Sequence, residues 1–347
     1  MRQRIDYIDL AKGFCILLVI LHHIKNPINQ TDVDRVLTCF RMPLYFFLSG
    51  LFFKRYTGFI NFTIRKINKL LVPFFFFMAI SCIIYFIGWA IMGHSNYILQ
   101  FSQNITKDLQ NDLLYINIPL WFLISLFETS LIFYLISIIC NKLSTRVRAR
   151  KVLMAMMCFS IGIIGYELGI HKINIPLWID TSMTAIPFFY TGYFIKNETD
   201  FLLPNRFDKY IPFLLAFFGS ITYFLADFID MMANKYNGNY FSFYTSAISG
   251  TLFILLLSKL IKKIPIISFL GRYSIIVLGT HWIIIVMLNR LAFLFTNNWL
   301  WITSEVVLIV FISIYIINFF LKFFPKFVCQ EDLIKVGSQV STIQCKS

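Results

Sequence analysis

The sequence predicts an all-α, polytopic membrane protein of about ten transmembrane helices with both termini on the cytoplasmic side. Three observations carry this. Of 347 residues 58% are hydrophobic, 18% aromatic and only 14% charged, more apolar surface than a soluble chain of this length could cover. Apolar runs of the length needed for the ~30 Å hydrocarbon layer recur along the whole chain. The basic residues fall in alternate loops. With the N-terminus inside, the inner loops hold Arg2 and Arg4; Lys54, Arg55, Arg65, Lys66 and Lys69; Lys142, Arg146, Arg148, Arg150 and Lys151; Lys196, Arg206 and Lys209; and Lys259, Lys262 and Lys263. The outer loops hold only Lys25, Arg35, Lys107, Lys172, Lys235 and Arg290, which is the positive-inside pattern. The formal charge of +14 is therefore a topology signal, and no nucleic-acid partner is expected.

The first segment, Arg4 to Lys25, has an apolar core at Gly13 to Leu21 that is too short to span alone, so it must take in Asp9, Lys12, His22 and His23. No small-x-small site follows it, so it is expected to stay as a helix and not to be cleaved as a signal peptide. At 100° per residue Lys12 and His23 lie roughly 20° apart around the axis and about 16 Å apart along it, with Asp9 one turn below Lys12. His22 is turned about 80° from Lys12, so His23 alone completes the row. The row reads either as a polar track through the bundle or as interfacial groups at the two ends, with Lys12 snorkelling.

The second run, Val36 to Phe53, contains Arg41 about five residues into the membrane and Pro43 two residues on. Arg41 either faces the same outer cavity as His23 or snorkels to outer headgroups. Before the third run, Leu70 to Gly93, the stretch TIRKINKLLVP places Arg65 and Lys69 on one face of a short helix. That pair suits phosphate oxygens, of a ligand or of anionic lipids. The segment His94 to Ile118 reads as a long, weakly hydrophobic outer loop. The fourth run, Pro119 to Cys140, sets Trp121, Ser125 and Glu128 on one face. Glu128 is expected to be protonated or paired: it could orient a histidine, pair with Arg41 or tie helices together.

The fifth run is Val152 to Ile170, the sixth Pro176 to Ile195, the seventh Tyr210 to Phe228 and the eighth Tyr240 to Ile261. Asp180 and Thr184 share a face near the outer end of the sixth. The ninth, Ile266 to Leu288, carries LGRYSIIVLGTHW, in which Gly271, Ser274, Leu278 and His281 recur on one face suited to close packing or to a ligand channel. The tenth is Trp299 to Phe324. The unit formed by residues 1 to 326 is then followed by a short polar tail, 327 to 347, read as disordered or surface-bound. The seven cysteines are scattered without a CxxC pair, so neither a disulfide framework nor a metal site is read from them.

Taken together these segments resemble the acyltransferase 3 family of integral-membrane sugar acyltransferases, particularly the bacterial polysaccharide O-acetyltransferases. The likeness rests on Arg4, Asp9, Lys12-Gly13 and His23, with a basic-x10-His spacing; on MPLYFFLSG followed by R-x-x-x-K and Pro73; on PLWFL at Pro119 to Leu123; and on LGRYSIIVLGTHW. One departure is Arg41, where relatives resembling fucose O-acetyltransferases often carry His.

The resemblance implies a multi-pass enzyme of the bacterial inner membrane that passes acetyl from cytoplasmic acetyl-CoA, a co-substrate and not a bound cofactor, to a hydroxyl of a lipid-linked or cell-surface glycan. His23 would be the general base, oriented by Glu128, with Asp9 in the same catalytic row. Lys12, Arg65, Lys69 and Ser274 would bind the donor, and Arg41, Trp121, Asp180 and His281 the acceptor or the oxyanion. A glycolipid flippase or exporter, whose intramembrane charges would form a substrate path, is the alternative.

Overall fold

The computed structural model describes residues 5–24, 31–56, 58–112, 114–206, 208–294 and 298–335. Arg2, Arg4, Lys25 and the last part of the tail, named above, lie outside the described residues. Helices account for nearly all regular structure: α1 (Asp6–His23), α2 (Asp32–Leu51), α3 (Phe59–Lys66), α4 (Val72–Ile91), α5 (Ser95–Gln110), α6 (Trp121–Leu143), α7 (Val147–Ile170), α8 (Ile179–Glu198), α9 (Ile211–Leu225), α10 (Tyr240–Ile261), α11 (Pro265–Arg272), α12 (Ser274–Leu288) and α13 (Asn298–Phe323). Strands β1 (Ile229–Asp230) and β2 (Lys235–Tyr236) form one small antiparallel hairpin between α9 and α10.

Six helical stretches are long and apolar enough to cross a membrane: Phe59–Ile91, Ile118–Leu143, Val147–Ile170, Tyr240–Ile261, Ser274–Leu291 and Trp299–Phe323. The chain is thus a multi-pass membrane protein. The other apolar runs, α1, α2, α8 and α9, are helical as well. Charges interrupt α1 and α2, and polar side chains are spread along α8. The 15 residues of α9 extend about 22 Å at 1.5 Å per residue, short of the hydrocarbon layer.

The centre is built from the helices that carry the polar groups. Helix α8 packs between α2 and α7, while α1 lies among α2, α10, α11 and α12. Glycines allow the closest crossings. A Cβ at Gly50 would fall on the Phe189 carbonyl of α8, and one at Gly192 on the Phe47 carbonyl of α2. Gly13 and Gly271 do the same for α1 against α11. With no side chain between them the backbones meet directly, so α1 and α2 cannot slide without moving their neighbours.

Three sequence expectations change. The stretch read as a loop at 94–118 contains the 16-residue α5, whose apolar positions are too few to register as a membrane run but suffice to cover α4. The ninth run is two helices, α11 and α12, broken at Tyr273 (φ −112°, ψ 29°). The described part of the tail folds back on the turn between α3 and α4. The Asn68 side chain donates to the Ile334 carbonyl at 2.8 Å and accepts from its N–H at 2.9 Å, and Val328 is buried. A five-residue π-helical turn, Ile67–Leu71, joins α3 to α4 and holds Asn68 and Leu70 buried.

Candidate active site

At the C-terminal end of α1 the last turn presents His22 and His23, and α12 presents His281 and Trp282 to them. The His23 ring centroid lies 5.5 Å from that of His281, 5.3 Å from that of Trp282 and 5.2 Å from that of His22. His281 is completely buried, and its Nδ1 lies 2.9 Å from the Val277 carbonyl one turn back. A carbonyl can only accept, so Nδ1 carries the proton and Nε2 is left with a bare lone pair. That Nε2 has no hydrogen-bond partner. A lone acceptor thus stands on the helix that faces His23. This is the chemistry of a site that awaits a hydroxyl.

The charged rim comes from α2 and the hairpin. Arg41 is 7% exposed, with the carboxylates of Asp34 and Asp230 within electrostatic reach. Asp34 Oδ1 stands 4.0 Å from His22 Nδ1. Of the two sequence readings of Arg41, a buried position beside these carboxylates is the one the geometry favours. His22 also belongs to the cluster, although its angular position puts it off the row, because Asp34 reaches it from the neighbouring helix. Asp34, Asp230, Trp282 and His22 were not among the expected site residues. The two aspartates come from segments that reach the site only through the tertiary fold.

The other expected site residues lie elsewhere. Glu128 accepts a hydrogen bond from Ser182 Oγ at 2.9 Å, so it ties α6 to α8 and does not orient a histidine. It also faces a cleft of about 430 Å³ walled by α4, α5 and α6, with Phe74, Met78, Phe101 and Phe127 among its lining. Trp121 is buried against Phe122 and Trp178. Asp180 accepts from Asn234 Nδ2 at 3.0 Å in a network that continues to Tyr236 and Thr184, where the hairpin docks on α7 and α8. Asp9 is fourteen residues before His23, about 21 Å away along α1, and cannot take part in chemistry there. Ser274 is two turns before His281, about 10 Å, at the N-terminal end of α12.

The remaining cations lie in the N-terminal half of α1 and around the α3–α4 turn. Lys12 Nζ lies 4.0 Å from the centre of the Phe52 ring. Arg65 lies 4.5 Å from the Tyr56 ring, with its Nε buried and without a hydrogen-bond partner. Lys69 is engaged by the returning tail, donating to the Cys329 carbonyl at 2.7 Å and pairing with Asp332 at 3.4 Å. The basic face at Arg65 and Lys69 is therefore real as geometry, but one of its two cations meets the chain's own carboxylate. Among the described residues no three of His, Cys, Asp and Glu are placed to hold a metal ion.

A helical membrane bundle with a histidine pair at the C-terminal end of α1 and basic groups away from it agrees with the comparison to protein families. The model of the Acyl_transf_3 family, an acyltransferase domain, matches residues 5–318. The chain belongs to the acyltransferase 3 family. No curated protein and no solved structure matches it. Membership supports an acyltransferase role for this multi-pass protein.

Proposed function

We propose that this member of the acyltransferase 3 family transfers acetyl from cytoplasmic acetyl-CoA to a hydroxyl of a lipid-linked or cell-surface glycan at the bacterial inner membrane. The observation that carries the reading is the meeting of His23 with the unpartnered Nε2 of His281, with the Trp282 ring packed beside them. A sugar hydroxyl barely ionises near neutral pH, so attack on a thioester needs a base, and imidazole suits the task. His23 removes the hydroxyl proton as the oxygen attacks the thioester carbonyl. The tetrahedral oxyanion collapses, the C–S bond breaks, and the sulfur leaves as CoA thiol with a proton returned from His23. His281, with its proton committed to Val277, can only accept, so it orients the sugar hydroxyl or a water beside it. Arg41 lies in the same outer region with a charge for the oxyanion.

All ten apolar runs would cross the membrane in this reading, with both termini cytoplasmic, residues 1–326 forming the acyltransferase unit and the remainder a cytoplasmic tail. The donor enters from the inner side past Lys12 and Arg65, with Lys69 available once the tail moves, and its pantetheine arm runs outward past Ser274. Lys12 and His23 share one face of α1 about 16 Å apart, so a single helix lines that path from end to end.

The deciding experiment incubates the protein, purified in lipid, with acetyl-labelled acetyl-CoA and a glycolipid extract of its host. The wild type is expected to label the glycan and to release CoA in equal amount, and His23→Ala to lose about 10²- to 10⁴-fold in rate. Equal transfer by both proteins removes His23 as the base. Glycolipid movement across the bilayer without CoA release replaces the enzyme with a flippase.

A further inference from the structure

Arg41 is 7% exposed, yet among the described residues its guanidinium makes no hydrogen bond and no ion pair. Asp34 and Asp230 act on it only through space. Asp34 Oδ1 stands 4.0 Å from His22 Nδ1, and Asp230 Oδ1 accepts the Ala233 N–H at 3.1 Å. A buried guanidinium whose five N–H donors meet no acceptor is costly to keep, and inside a membrane bundle such a group marks the place of a ligand.

The backbone fixes where the charge sits. Cys15 Sγ donates to the Arg41 carbonyl at 3.2 Å, which registers α2 against α1. Side chains of a helix tilt toward its N-terminus, and from Arg41 that direction leads to Asp34 in the first turn of α2 and so to His22. The guanidinium is within electrostatic reach of both His22 and His23. A fixed positive charge there repels the imidazolium that His23 becomes when it takes the hydroxyl proton. An anion on Arg41 offsets that repulsion and fills the open donors together. Its charge is limited by the two aspartates already within reach. A carboxylate carries one charge and matches the planar fork with two parallel N–H···O bonds, whereas a phosphate, at about −1.5 to −2, meets stronger repulsion from Asp34 and Asp230.

We propose that Arg41 receives a carboxylate of the acceptor, so that the glycan modified is an acidic one whose carboxylate lies near the hydroxyl held at His23 and His281. This assignment rests on the reading of the chain as a glycan acetyltransferase and adds to it the charge of the acceptor. Two N–H groups suffice for the carboxylate, and the others remain for the oxyanion.

The test uses the full chain in nanodiscs of phosphatidylcholine, as wild type, Arg41→Lys and Arg41→Gln. The probe is the host glycolipid extract, untreated, with its carboxylates methyl-esterified, or dephosphorylated by phosphatase. Retention of glycolipid is read without acetyl-CoA, and transfer of labelled acetyl with it. Wild type is expected to retain and label the untreated and dephosphorylated forms alike and to lose most of both on the esterified form. Arg41→Gln should bind the untreated form about tenfold more weakly, equal to about 1.4 kcal/mol, with KM raised for the acceptor and not for acetyl-CoA. It should no longer distinguish the untreated form from the esterified one. Arg41→Lys, which keeps the charge and loses the fork, should fall between the two. Wild type that retains and labels the esterified form as well as the untreated one overturns the carboxylate site and leaves the acetyltransferase reading in place. A loss on dephosphorylation alone makes the ligand a phosphate and overturns it as well, as does wild type that retains no form of the extract. Retention that depends on both Arg41 and the carboxylates, with no acetyl transferred, keeps the site and removes the acetyltransferase.

Discussion

Replacing Gly271 by alanine tests whether the seating of α1 matters to function. A Cβ at this position would overlap the Asp9 carbonyl oxygen and lie 3.0 Å from Gly13 Cα. Carbon atoms need roughly 3.5–4.0 Å. The obstacle is main chain on both sides, so no side chain can turn away and the two helices must separate by about 1 Å or more. Overpacking of this kind costs about 1–3 kcal/mol. The displaced segment carries Lys12 directly and His23 at its far end, and a misplacement of about 1 Å in a reacting group costs on the order of 100-fold in rate. Gly271→Ala is therefore expected to lower the thermal unfolding temperature, followed by tryptophan fluorescence in detergent, and to depress acetyl transfer much further than the loss of folded protein explains. Gly271→Ala with unchanged unfolding and wild-type transfer would mean that α1 is not seated by this contact, and the argument from backbone packing to site geometry would fail.

Other consequences follow from the outer loop and the tail. Asp112 accepts the Trp178 N–H at 3.1 Å, and burial, with Asp180 nearby, pushes its carboxyl up to about 6 against that hydrogen bond. A carboxyl raised in the folded state favours the protonated form, so its contribution to stability is best at acid pH and declines as pH rises from about 4 to about 6. Asp112→Asn keeps the acceptor oxygen and removes the charge. It is expected to raise stability at pH 7.5 by about 1–2 kcal/mol and change little at pH 4, and a loss at pH 7.5 would refute the assignment. Asn68→Ala removes both hydrogen bonds to Ile334 at about 1 kcal/mol each. Tryptic cleavage at Lys326 and Lys335 should then quicken several-fold, and cleavage unchanged from wild type would mean that the tail is held by other contacts. His281→Phe preserves the packing but removes Nε2. It should raise KM for the acceptor more than for acetyl-CoA, and an effect on the donor alone would place His281 outside the acceptor site.

Much of the architecture is legible in the sequence because membrane helices announce themselves by length and apolarity. Tyr240 to Ile261 is read to the residue, and the others differ by a few positions at their ends. The parts that escape are those whose signal is not apolar. Helix α5 is mostly polar on one side. The break at Tyr273 falls inside an unbroken apolar pattern, and the hairpin is two residues per strand. Among the site residues, His23 and Arg41 were legible because a cation or imidazole inside an apolar run is costly and so conspicuous. Asp34 and Asp230 were not, since nothing local connects them to Arg41. Glu305 could have been found by the same rule that found Glu128: it is a carboxylate inside the apolar run of α13, and it is completely buried with Trp301 as its polar neighbour.

Glu128 shows where that rule stops. Its cost in the membrane predicts that it has a partner, and it has one, but the partner is Ser182, which also contacts Ser125 and the Trp178 carbonyl. A half-buried carboxylate that meets a hydroxyl which is itself tied to its neighbours needs no catalytic role to explain its presence. His281 differs in the feature that matters: its Nδ1 is satisfied by its own helix while its Nε2 is buried with no partner. Polar groups in a membrane bundle thus divide into those whose hydrogen bonds close within the protein and those left open. The open acceptor of His281 stands beside His23, and that unfilled capacity, more than the charge of any one residue, is what points to the C-terminal end of α1 as the place where a substrate hydroxyl is received.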